Sequence, residues 1–176
     1  MFLRNLLWEN VFFFGGDERH VPPEDPESNY RMANESLLSK LPIPADHVFR
    51  IQSERPDAGV GAQAYEQTLR DFFRPAPGSF PRFDQCFLFP GTTALEERRH
   101  FLVANWVEKF STFRITLTFP VLNHAACVIF LANGSDKAEM VGRALTDPGA
   151  KLPCQRIRPD DGELIWFLDQ EAAARL

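Results

Sequence analysis

The chain has 176 residues, 24 acidic against 19 basic side chains and a formal charge of −5, so it offers no basic field to nucleic acid. Its length suits one domain (1–176) with a sizeable core, and its 44% hydrophobic content is that of an ordinary globular protein. Three widely spaced cysteines, Cys86, Cys127 and Cys154, fit neither a disulfide framework nor a zinc site and point to a reducing, cytoplasmic setting.

No stretch reaches the ~18 apolar residues of a membrane helix. Met1–Leu7 is mildly apolar, but Trp8-Glu9-Asn10 interrupts it and no small-residue cleavage site follows, which argues against a signal peptide. Val11 to Phe14 then reads as a buried strand. Gly15-Gly16 breaks it, and Asp17-Glu18-Arg19-His20 follows at once. In an α/β sheet such a break marks the carboxyl end of a strand, where ligands bind. Glycine lets backbone approach a ligand, and arginine offers a planar fork that suits phosphate. By itself the cluster reads first as a strand end with a solvated charged turn, since charge clusters after strands are usually surface.

Ser28 or Asn29 can cap a helix whose apolar face is Tyr30, Ala33, Leu37, Leu38 and Leu41. Pro42-Ile43-Pro44 ends it. Val48 to Ile51 is a short strand candidate, and Ala62, Tyr65, Leu69, Phe72 and Phe73 mark a second amphipathic helix. Arg74 to Pro81 is a proline-rich surface linker, too short to separate domains. Phe101 to Phe110 returns the chain toward the sheet, and Arg114 to Thr118 alternates as a half-buried strand does. Pro120 to Ala126 is too short to assign. Cys127 to Ala132 is uniformly apolar, as a strand covered on both faces would be.

Asn133-Gly134-Ser135-Asp136-Lys137 follows, then a helical pattern over Ala138–Leu145. A strand, a glycine turn and a helix start together present free amides and a dipole that favour an anion, and a lysine adds a point charge. The plainer alternative makes Ser135 or Asp136 a cap and Lys137 a surface residue. Asp147-Pro148-Gly149 is a break, Leu164 to Leu168 is a last strand, and Asp169 caps a closing helix over Gln170–Leu176. There is no internal repeat.

Several segments carry a resemblance that runs along nearly the whole chain. They are Gly16-Asp17-Glu18-Arg19-His20-Val21-Pro22, Ser28-Asn29-Tyr30-Arg31-Met32-Ala33, Leu88-Phe89-Pro90-Gly91-Thr92, Arg114-Ile115-Thr116-Leu117-Thr118, Pro120-Val121-Leu122-Asn123, Gly134-Ser135-Asp136-Lys137-Ala138 and Trp166-Phe167-Leu168-Asp169. Their order and spacing resemble the 6-phosphogluconolactonases, relatives of the glucosamine-6-phosphate deaminases. The resemblance implies a three-layer, doubly wound, mostly parallel α/β sheet. It implies hydrolysis of 6-phosphoglucono-lactone in the pentose phosphate pathway, with no metal or organic cofactor. Arg19 and Lys137 would hold the substrate phosphate, with Asp17, Asn123 and Gly134 as secondary site residues.

The sequence departs from that pattern in two places. Between Asp84 and Leu88 stand only Gln85, Cys86 and Phe87, where the family carries about eleven further residues, including the histidine that serves as its base. None of His20, His47, His100 or His124 occupies the equivalent position, so the catalytic residue is unassigned. His100 is expected to face solvent, and His20 to be structural. The family also begins with a further βα unit bearing a phosphate-cradling loop, ahead of the strand Val11 to Phe14. Without it apolar sheet surface is uncovered, inviting self-association or a protein partner. The expectations are therefore a lactonase-type hydrolase, a non-catalytic descendant that binds a sugar phosphate or a partner, or a partial product of the enzyme's gene. A deaminase is the enzymatic runner-up.

Overall fold

Residues 6–88, 96–108 and 111–176 are described by the computed structural model of the chain. Its backbone divides into two units, Met1–Thr68 with Leu102–Thr116 and Leu69–Phe101 with Leu117–Leu176.

In the first unit the opening apolar run becomes β1 (Phe13–Phe14). It pairs in parallel with β3 (Val48–Phe49), so both predicted strands are present in shortened form. Phe14 stacks on Phe49 with ring centroids 4.7 Å apart, and Phe12 stacks on His47 at 4.0 Å. After the glycines, the charged cluster is a strand rather than a turn. β2 (Asp17–Arg19) runs antiparallel to β6 (Thr112–Leu117), which separates it from β5 (Leu102–Val107). Three consecutive ionisable residues have no apolar alternation to reveal a strand. The pairing does so instead, by setting Glu18 opposite buried Ile115.

Helix α1 (Asn29–Ser36) starts as expected, with Ser28 Oγ accepting from the Arg31 amide at 3.1 Å. It stops five residues earlier than the apolar spacing suggested. A 3-10 turn over Leu38–Lys40 follows, and Leu41 is extended at φ −108°, ψ 148°, as the residue before Pro42 must be. Helix α2 (Ala58–Phe73) buries Ala62, Tyr65 and Leu69, and the Tyr65 hydroxyl donates to the Phe49 carbonyl at 2.9 Å.

The second unit is built on a parallel sheet of order β4 (Cys86–Leu88), β7 (Cys127–Ala132), β8 (Glu163–Leu168). The uniformly apolar β7 lies in the middle, where that composition belongs. Helix α4 (Ala138–Thr146) contributes Val141 to a cluster with Ala132 and Ala172, flanked by Trp166 and Leu168. A short α3 (Phe119–Asn123) occupies the stretch left unassigned by periodicity, with a proline in its first turn. The closing segment is a series of hydrogen-bonded turns, not the expected helix. Asp169 still caps it, accepting from the Ala172 amide at 2.7 Å. Seven residues after that cap are too few to offset the cost of helix nucleation. Among the described residues no helix is long and apolar enough to cross a membrane.

The loop before β8 lies against the loop before β7, with the Asp160 amide on the Asn123 carbonyl at 2.8 Å and the Glu163 amide on the Ala126 carbonyl at 3.0 Å. A Cβ on Gly162 would sit 2.5 Å from the Ala125 oxygen and 2.7 Å from that of Ala126. Gly162→Ala is therefore expected to destabilise the chain by about 1–3 kcal/mol in urea unfolding, and parent-like stability would contradict this packing. All three cysteines are free thiols. Burial, reinforced by neighbouring Cys127, pushes the Cys86 thiol up to about 12, so at pH 8 it is protonated in the native fold. Iodoacetamide at that pH should spare Cys86 until denaturant is added; labelling at the rate of an unfolded thiol would refute its burial.

Candidate functional site

Glu18 is 3% exposed, and its carboxylate is fully committed. One oxygen accepts from the Asn29 amide at 2.6 Å and the Arg19 amide at 2.9 Å; the other accepts from the Tyr30 amide at 2.8 Å and Ser28 Oγ at 3.0 Å. The Asn29 and Tyr30 amides open α1, so a negative group there satisfies unpaired donors and complements the helix dipole. The sequence suggested Ser28 or Asn29 as cap, and Ser28 is the one that takes that position. The larger role of Glu18 has no sequence signal beyond an acidic residue eleven positions before the helix.

Asp17, Arg19 and Arg114 share the other face of the β2–β6 ribbon. Asp17 pairs with Arg114 through Nη2 and, at 3.2 Å, through Nε, and it also accepts from Asn29 Nδ2 at 2.9 Å. Arg19 donates from Nη1 to the Glu27 carbonyl. Both Asp17 oxygens thus meet donors and Glu18 is a helix cap, so these two carboxylates serve as anchors of the segment. A role for either as a substitute base has no geometric support.

Two of the histidines are tied to backbone. His20 Nε2 lies 2.8 Å from the Arg55 carbonyl, and its ring is edge-on to Phe113, which agrees with the structural role expected for it. His47 Nδ1 lies 3.2 Å from the Val11 carbonyl beneath Phe12. His100 is exposed as expected, in a turn where the Glu97 carboxylate accepts from the amides of Arg98, Arg99 and His100 at 2.6–3.1 Å. Those bonds, the one from Arg99 foremost, hold the Glu97 carboxyl below the usual carboxylate range. His124 is the C-cap of α3.

In the second unit, Gly134 and Lys137 follow β7 at the carboxyl edge of the parallel sheet, where α/β folds place ligands. Gly134 has φ +88°, which favours glycine. Its amide donates to both carboxylate oxygens of Asp169, at 3.2 and 3.0 Å, and Lys137 Nζ pairs with Asp136. A phosphate at this turn would compete with Asp169 for the amide and with Asp136 for the ammonium.

Asn123 lies elsewhere. It precedes β7, and its side chain clamps the loop before β8, donating to the Arg156 carbonyl at 3.2 Å and accepting from the Arg158 amide at 2.8 Å. Arg82 reinforces that clamp through the carbonyls of His124 and Asp161, at 3.1 and 2.7 Å. Asn123 is thus at the amino edge of the sheet, opposite Gly134 and Lys137, and acts as a loop fastener. The Leu88-Phe89-Pro90-Gly91-Thr92 motif falls largely on residues 89–95, outside the described residues.

An open cleft of about 620 Å³ in the first unit is lined by Tyr30, Arg31, Asn34, Arg50 and neighbours. Its arginines are paired, Arg31 with Glu35 at 2.8 Å and Arg50 with Glu54 at 2.7 Å. Among the described residues no group of three His, Cys, Asp or Glu side chains is placed to hold a metal.

Residues 3–166 match the family described as glucosamine-6-phosphate isomerases/6-phosphogluconolactonase. A 6-phosphogluconolactonase of Nostoc sp. is 35% identical over 186 aligned positions, which cover 98% of this chain and 76% of that protein. Since 186 exceeds 176 by ten, at least ten residues of the relative have no counterpart here. Among solved structures, a devB protein superposes with a TM-score of 0.90 at 30% identity, over 99% of this chain and 78% of its own. The 6-phosphogluconolactonase of Trypanosoma cruzi gives 0.80 at 28% identity, over 94% and 72%.

The commitment of Glu18 is open to measurement. Glu18→Ala leaves buried donors without an acceptor and should cost at least about 2 kcal/mol in urea unfolding. Glu18→Gln, which keeps one acceptor oxygen, should cost less. Equal and negligible losses for both variants would show that the cap contributes nothing.

Proposed function

The chain belongs to the glucosamine-6-phosphate isomerase/6-phosphogluconolactonase family, and from that premise we propose that it is a 6-phosphogluconolactonase-type hydrolase of the pentose phosphate pathway. Its substrate is a phosphorylated sugar lactone, 6-phosphoglucono-lactone. The observation that carries this reading is the match to a lactonase over 98% of the chain, with the Asp17–Arg19 strand tied to the start of α1 by Glu18. Three free thiols support a cytoplasmic site of action.

In the proposed reaction water adds to the lactone carbonyl as a base accepts one of its protons. The bond from the carbonyl carbon to the ring oxygen then breaks, that proton passes to the departing ring oxygen to make a hydroxyl, and the acid formed ionises to the carboxylate. A positioned base supplies about 10²–10⁴-fold of such a rate and an oxyanion donor about 10²–10³-fold. Arg19 and Lys137 are proposed as phosphate contacts, each acting by charge-assisted hydrogen bonds. Gly134 would support Lys137 by letting the backbone turn.

A second reading is a non-catalytic sugar-phosphate-binding or partner-binding descendant. It is favoured by the engagement of Asp17, Glu18, His20 and His47 in structural bonds. The short link from Asp84 to Leu88 favours it too.

A coupled assay of lactone hydrolysis, corrected for spontaneous opening, separates the two. The first reading predicts a protein-dependent rate. Binding of 6-phosphogluconate by calorimetry without excess hydrolysis would select the sugar-phosphate-binding form of the second. Absence of both would reject the hydrolase and that form, leaving the partner-binding descendant. Arg19→Gln and Lys137→Ala should each weaken 6-phosphogluconate binding by about 10-fold. Unchanged affinity in either would remove that residue from the phosphate site.

A further inference from the structure

We propose that Arg114, across the ribbon from Arg19, is a second guanidinium of the phosphate site, so that a phosphate monoester is held by an arginine pair on one face of β2–β6. The proposal rests on the reading of Arg19 as a phosphate contact and adds a residue that this reading does not contain.

The strand register places the two arginines. Arg19 and Arg114 are direct antiparallel partners. The neighbouring pair is hydrogen-bonded, with the His20 amide donating to the Phe113 carbonyl at 2.9 Å. The alternation of antiparallel ladders therefore makes Arg19–Arg114 a non-hydrogen-bonded pair, the type with Cα atoms only about 4.5 Å apart and side chains closest. The Arg19 amide agrees, turning out of the ladder to Glu18 at 2.9 Å.

Like charges directly opposite each other on a sheet destabilise it. Asp17 relieves part of that cost by pairing with Arg114. The three side chains together keep one net positive charge on a partly buried face, where the side chains of Arg114 and Asp17 are 22% and 19% exposed. Asp17 meets Arg114 on its Nε and Nη2 edge, and Arg19 spends Nη1 on the Glu27 carbonyl. Each guanidinium carries five N–H donors, so donors remain on both for the oxygens of a phosphate dianion. An arginine fork matches that geometry better than a lysine would. Both residues sit on strands, and the Glu18 cap and the Asp17–Asn29 bond hold the segment, so the pair is preorganised.

The contrasting role is a purely structural Asp17–Arg114 ion pair. Calorimetric titration of the full chain with 6-phosphogluconate and with gluconate, across Arg114→Gln, Arg114→Lys, Arg19→Gln and Asp17→Asn, separates the two. The arginine pair predicts that Arg114→Gln weakens 6-phosphogluconate binding by about 10-fold or more and leaves gluconate binding alone. Arg114→Lys, which keeps the charge but not the fork, should fall between that variant and the parent. Asp17→Asn should hold or tighten phosphate binding by removing a competing carboxylate. Parent-like affinity in Arg114→Gln would overturn the proposal, as would equal weakening by Arg114→Gln and Asp17→Asn. If Arg114→Gln does not fold, Arg114→Lys decides, and parent-like binding there rejects the fork. If the parent chain binds no 6-phosphogluconate, the Arg19 reading itself fails and takes this one with it. If Arg19→Gln weakens binding while Arg114→Gln does not, the Arg19 reading stands and only the arginine pair is lost.

Discussion

A buried carboxylate holds the segment that the candidate chemistry depends on. Glu18 gathers two amides and a hydroxyl from residues 28–30 and one amide from its own strand, tying β2 to the start of α1. Without that tie, three ionisable residues in a row would lie on a short edge strand with little apolar burial to fix them. With it, Asp17 and Arg19 are presented on one face, opposite Arg114. The energetic logic is that of a helix start, where four unpaired amides make a local site for negative charge. Here the protein fills that site with its own side chain.

The same device recurs in the second unit. Asp169 accepts from the Gly134 and Ala172 amides, and Asp136 pairs with Lys137. Carboxylates thus already occupy the groups that a phosphate would seek. In an acidic chain of charge −5, such internal pairing lowers the cost of concentrating positive charge. It also means that a ligand must exchange for existing partners, so affinity is a difference between two sets of charge-assisted bonds.

Much of the fold was legible in the sequence because burial imposes a pattern. β7 was read from six uniformly apolar residues, α2 from its helical spacing and α4 from the glycine turn before it. What was not legible has a physical cause in each case. β2 has no apolar residue, and its strand character comes from pairing with β6, a contact about a hundred positions away. α1 ended at Ser36, where Leu37 leaves the helical region at φ −137°, five residues short of the point before Pro42 where the apolar spacing and the prolines had set its end. Asn123 was grouped with the site because it sits in a matching motif, but motif order does not say at which edge of a parallel sheet a residue falls. Arg114 was read as one polar position of an alternating strand. Only the register shows which residue it faces.

The account turns on phosphate recognition by the face that Glu18 anchors. A crystal structure of the chain with 6-phosphogluconate tests this most directly. The account predicts phosphate oxygens within about 3 Å of the Arg19 guanidinium. Phosphate bound elsewhere, with Arg19 still donating to the Glu27 carbonyl alone, would contradict it.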